Sequence, residues 1–148
     1  MKKVRRFLPL SLMIFTLTLF VASSVFAATG AGWHENLSSR QGRAQMTKIP
    51  TYVQPGKTMW LGIDQYGKNA SGNYDASLSP TIKYYIHNEA KDISTDYTFT
   101  VTGKKGGATN VKAYQSDKFA LTGGNYVIYA ENLSNFPVAT GGNTYYAE

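Results

Sequence analysis

Alternation of apolar and polar residues with period 2 recurs in four stretches of this chain, and nowhere does a convincing amphipathic helical period appear. In Leu121 to Asn132 a Gly123-Gly124 turn leads into Tyr126, Ile128 and Ala130 on one side and Val127, Tyr129 and Glu131 on the other. Tyr97, Phe99 and Val101 alternate with Thr98, Thr100 and Thr102. Met59, Leu61 and Ile63 alternate with Trp60, Gly62 and Asp64, and Ile82, Tyr84 and Ile86 with Thr81, Lys83, Tyr85 and His87. Each pattern predicts a strand with one buried face. Threonines on a solvated strand face suit that role and need no functional reading.

Glycine, proline and short polar residues punctuate these strands. Met46 to Val53 is a further candidate, interrupted by Pro50, which confines it to an edge or a bulge. Gln54-Pro55-Gly56 has the Pro-Gly order of a type II turn. Gln65 to Ser79 and Ser134 to Gly142 read as polar loops, Glu89 to Thr95 as a loop or single helical turn, and Gly103 to Gly107 as a turn. Thr109 to Gln115 is a weaker strand, and Asn143 to Ala147 a short last one. About seven strands so spaced predict an all-β fold, an antiparallel two-sheet sandwich occupying residues 46–148 as a single domain. Residues 28–45 show neither period and contain Gly30, Gly32 and Gly42. They read as a flexible N-terminal arm; the alternative is a poorly patterned first strand, in which Trp33 would gain from packing.

Residues 1–27 have the form of a signal peptide. Lys2, Lys3, Arg5 and Arg6 precede an apolar run from Phe7 to Val21, and Val25-Phe26-Ala27 supplies small residues at a cleavage site. Ser11, Thr16, Thr18, Ser23 and Ser24 dilute the run below what a spanning helix needs. The basic leader suggests a bacterial, secreted, extracellular protein with no stable membrane anchor after leader cleavage, and Tyr145-Tyr146-Ala147-Glu148 offers no hydrophobic tail. Four of the fifteen cations and none of the nine anions fall in the leader, which leaves eleven against nine, a net charge of +2. The cations are scattered, so no nucleic-acid partner is expected. The remaining 121 residues are enough for one core. With no cysteine, disulfides, thiolate catalysis and cysteine-based zinc sites are excluded.

Two stretches carry a resemblance. Leu121-x-x-Gly124-x-Tyr126-x-Ile128-x-Ala130 resembles the sixth strand of an immunoglobulin-like domain, where a glycine turn precedes a corner tyrosine. Val53-x-Pro55-Gly56-Lys57-x-Met59-x-Leu61-x-Ile63 is similar to the turn and second strand of bacterial immunoglobulin-like modules. The match spans two strands, and the cysteine pair and core tryptophan of antibody domains are missing. The resemblance implies an immunoglobulin-like architecture and no activity.

Motifs for chemistry are sparse. His34 and His87 are the two histidines, and His87 with Glu89 at a strand end has the spacing of an acid/base pair. No third ligand accompanies them, so no metal site and no cofactor is expected. Asp64 to Asp75 has the length of a calcium loop, but Tyr66 and Lys68 stand where ligands belong. Nucleophile and phosphate-loop signatures are missing, so no catalytic residue is assigned. The three Asn-x-Ser sequons at Asn36, Asn69 and Asn132 are read as chance.

Tyrosine is the unusual feature: eleven, all beyond the leader. Its ring is apolar and its tip polar, which suits interfaces. If the third, sixth and seventh strands share a sheet, as the immunoglobulin-like order implies, Tyr85, His87, Tyr129, Glu131, Tyr145 and Tyr146 form one outer-face patch. Such a patch suits an extracellular protein or a cell-wall polysaccharide, although cross-strand tyrosine pairs also serve simply to stabilise a sheet. The leading expectation is a secreted non-enzymatic binding or structural module, acting in the extracellular space or at the cell envelope through this patch or the two long loops. A secreted antimicrobial or toxin-like protein is an alternative, with low charge and no amphipathic helix counting against membrane disruption. A small secreted hydrolase, such as a nuclease, using His87 and Glu89 with Arg40 or Arg43 is another.

Overall fold

The strand at the centre of the second sheet is the one with the tightest entry. In this computed structural model, which describes residues 27–107, 109 and 111–147, Gly123 has φ +85° and a Cβ there would lie 2.8 Å from Pro55, so only glycine makes the turn. The expected leader falls, up to residue 26, outside the described residues. Ten strands follow: β1 Ala27–Leu37, β2 Ala44–Gln45, β3 Thr51–Val53, β4 Thr58–Gly67, β5 Thr81–Asn88, β6 Tyr97–Thr102, β7 Tyr114–Gln115, β8 Phe119–Ala120, β9 Gly124–Asn132 and β10 Val138–Ala147. A single 3-10 turn, Ile93–Thr95, interrupts the β5 to β6 connection.

The strands pair from the ends inward, like a folded ribbon. β1 pairs with β10, β2 and β3 with β9, β4 with β7 and β8, and β5 with β6, all antiparallel. The ribbon doubles over so that β10 also pairs with β4 and β9 with β5. The result is two packed five-stranded sheets, β1-β10-β4 with β7 and β8, and β2 and β3 with β9-β5-β6. An all-β antiparallel sandwich is therefore what the alternating pattern produces, and its strand order is that of a jelly roll.

Between the sheets lie Leu37, Val53, Met59, Leu61, Ile63, Ile82, Tyr84, Ile86, Tyr126, Ile128 and Val138, all but buried. Of the expected strand from Met46 to Val53 only Thr51–Val53, after Pro50, is strand, as β3; β2 lies just before the stretch, inside the expected arm, and both edge β9. The Gln54 carbonyl accepts from Lys57 N–H at 3.1 Å and Gly56 has φ +78°, closing the expected turn.

Three expectations are corrected. Residues 28–37 are not an arm: they form β1, nine of whose residues pair with β10, with Trp33 8% exposed. A register shift between Thr29 and Gly32, where glycine lies close to Thr51, breaks the alternation that would have betrayed the strand. There, Ala31 N–H donates to Thr51 Oγ1, Thr51 meets Thr144 Oγ1 at 2.7 Å, and Thr144 donates back to the Ala31 carbonyl, a closed ring of hydrogen bonds. Part of each supposed loop is strand: β4 runs on to Gly67, and β10 begins at Val138 and passes through Gly141 and Gly142, the second packed so closely on the Gly62 carbonyl and the Trp33 ring that no Cβ fits. Finally, β10 lies in the sheet opposite β5 and β9, so the last strand does not flank Tyr129.

Candidate functional site

On β5, Ile82, Tyr84 and Ile86 face the core, so Lys83, Tyr85 and His87 face outward. The register with β9 sets Tyr85 directly opposite Tyr129 and Lys83 opposite Glu131. Beyond β9, β2 places Gln45 opposite Tyr129. Four of the six residues expected in the patch, Tyr85, His87, Tyr129 and Glu131, thus come together on one outer face.

Two residues complete the group. Arg43, just before β2, lays its guanidinium 4.7 Å from the Tyr85 ring centre and 4.2 Å from that of Tyr129. Its Nη1 reaches to 2.7 Å from Asp96 Oδ2, while Asp96 Oδ1 is 2.7 Å from His87 Nδ1. The Asp96 side chain is 2% exposed. The Arg43 contact is an ion pair in which no N–H points squarely at Oδ2, for that buried oxygen accepts no hydrogen bond among the described residues. Asp96 is held in place by the turn before it, where the Asp92 carboxylate caps Ser94 N–H and Asp96 N–H donates to the Ile93 carbonyl.

Tyr85 donates its hydroxyl to Glu131 Oε2. Desolvation, the hydrogen bond to that carboxylate and its negative charge together push the phenol up to about 12, against the opposing pull of Arg43. Lys83 Nζ is 5.0 Å from the same ring, and the His87 ring meets Tyr129 edge-on, with centres 5.8 Å apart. The face is therefore aromatic plates under an arginine, rimmed by both signs of charge.

The other two expected residues lie elsewhere. Tyr145 is on the outer face of the opposite sheet, nearly parallel to Trp60 with ring centres 5.9 Å apart and packed on Gly62. Tyr146 is half-buried and lines a groove at the sandwich edge. His87 is paired with Asp96, and no hydrogen bond or ion pair among the described residues joins it to Glu89. Asp96 escaped sequence reasoning, although the hairpin register Ile86 with Tyr97 places residue 96 beside His87. Among the described residues no three acidic or histidine side chains converge as a metal site.

The chain matches no protein-family profile, and no curated protein matches it in sequence.

Proposed function

We propose that this protein is a secreted, non-enzymatic binding module whose contact surface is the outer face of the β2/β3-β9-β5-β6 sheet. The observation that carries the reading is the Tyr85 and Tyr129 pair in register, spanned by the Arg43 guanidinium. Arranged this way, the rings are rigid and their hydroxyls and the guanidinium edge remain as polar groups. That combination suits a ligand with alternating apolar and hydroxyl surface, a cell-wall polysaccharide or an extracellular protein. The leader-like residues 1–27 support export.

Pull-down with the mature protein, residues 28–148, against cell-wall fractions and culture supernatant tests this. Retention by one fraction, lost in Tyr85→Ser with Tyr129→Ser while the fold persists, is the expected result. A folded double variant that is retained as before refutes the face, and no retention of the parent protein in any fraction shifts the weight to a toxin-like role.

A further inference from the structure

A second surface, independent of the tyrosine face, lies along the edge where the two sheets part. Among the described residues β1 is the outermost strand of its sheet and is paired only by β10. Among the described residues, no main-chain group of Gly32 to Leu37 makes a hydrogen bond outside that ladder. Natural sheets commonly blunt such an edge with a bulge, a proline or a covering loop. Here the bulge and the tie to Thr51 end at Ala31, and the edge beyond it is bare.

Beside the bare edge runs a groove. Its larger part, about 780 Å³, is lined by Ile49, Pro50, Tyr52 and Tyr146 with the glycines of β1, and has no charged residue in its lining. A smaller part of about 310 Å³ continues past Trp33 and Glu35 to Met46 and Lys48. Both parts share Ala31, Gly32 and Ile49 and so adjoin, the smaller beside the free edge from Gly32 to Glu35 and the larger at the tied segment Gly30 to Gly32. At about 3.3 Å per strand residue the free edge from Gly32 to Leu37 is roughly 20 Å, the span of six extended residues. Ile49 and Tyr52, 73% and 61% exposed, stand over the larger part as uncovered apolar walls.

We propose that this groove binds an extended peptide segment of a partner protein, which adds as a strand to the free edge of β1 from Gly32 onward and carries its end past Ala31, where apolar side chains seat between Ile49, Tyr52 and Tyr146. The choice of a peptide follows from the edge itself. Main-chain donors and acceptors repeating at strand spacing are matched by another main chain, whereas sugar hydroxyls have no such repeat. The lining fixes the side-chain chemistry: uncharged and apolar beside Ile49 and Pro50, with charged or polar side chains accommodated only at the other end, where Glu35 and Lys48 both line the groove.

The test is selection of random linear dodecapeptides, displayed on phage, against the purified protein, followed by binding and amide hydrogen exchange with the synthetic winners. Expected are peptides binding tighter than about 100 μM, slowed exchange at Gly32 to Leu37, and at least about a tenfold loss when alternate peptide amides are N-methylated. Ile49→Lys, at a position too exposed to affect folding, is expected to weaken binding by a similar factor. The proposal is overturned if no peptide is selected, if protection maps to the Tyr85 face, or if N-methylation leaves binding unchanged. Protection of Gly32 to Leu37 that grows with protein concentration alone, without peptide, also overturns it, because the occupant is then a second copy.

Discussion

Tyr84 on β5 donates its hydroxyl to Gln65 Oε1 on β4 at 3.0 Å, a hydrogen bond that crosses the buried interior from one sheet to the other. It is one link of a relay. Trp33 Nε1 donates to Thr140 Oγ1, that hydroxyl meets Tyr84 Oη at 2.7 Å, and Gln65 Nε2 donates to the carbonyls of Val101 and Gly103. Every member has a partner, which is the condition under which a polar core network holds a fold in one arrangement.

Tyr84→Phe removes the middle of the relay and leaves Gln65 Oε1 and the Thr140 hydroxyl short of a partner. The expected loss is about 1–3 kcal/mol, measured by urea unfolding. Gln65→Leu alone is expected to cost as much or more, and the double variant less than the two added together. Strict additivity would mean the relay is not coupled.

Arg43→Ala strips the Asp96 carboxylate of its cation. Removing one partner of a fully buried pair costs about 3–5 kcal/mol, and because Arg43 itself is 23% exposed the loss expected here is smaller, roughly 1–3 kcal/mol. Arg43→Lys is expected to recover only part, since an ammonium does not lie flat across two rings. Thermal unfolding of the pair of variants decides this; equal stability of Arg43→Lys and the parent would show that charge alone matters.

Tyr85 offers a titration. Its folded phenol is pushed up to about 12 from an ordinary 10.0, so the unfolded chain loses this proton first. The contribution to stability is fully present below pH 10 and is lost as pH rises toward 12. Glu131→Gln removes the carboxylate charge behind part of the shift and is expected to lower the Tyr85 midpoint, read from the Cζ chemical shift of labelled tyrosine. An unmoved midpoint would contradict the assigned cause.

Gly142 has no room for a side chain: a Cβ would fall 2.2 Å from the Gly62 carbonyl oxygen and 2.5 Å from the Trp33 ring. Gly142→Ala is expected to cost roughly 1–3 kcal/mol by overpacking and to shift tryptophan emission as Trp33 is displaced. Unchanged emission with full stability would place Trp33 elsewhere.

What could be read from the sequence follows from how local its cause is. β5, β6 and β9 were legible because alternation is written in consecutive residues, and the turn at Gly56 because proline and glycine fix it alone. β1 was hidden since its glycines answer to Thr51 and Asn143, far along the chain. The partnership of Tyr85 with Tyr129 was reachable from strand register, but the sheet of Tyr145 depends on a nested pairing that no short stretch encodes. Arg43 lies in an irregular segment and Asp96 after a turn, so neither their meeting nor the partner of His87 had a local signature.

The nested order also governs how the first sheet closes. β10, the last of the described strands along the chain, is an inner strand of its sheet, lying between β1 and β4, and Ala147 at its end pairs with Ala27. Among the described residues β10 alone joins β1 to the rest of the first sheet, so that sheet is not closed without Val138–Ala147. Closing the first sheet therefore brings together segments at opposite ends of the described chain, a long-range contact whose loop-closure entropy is paid before the pairing returns it.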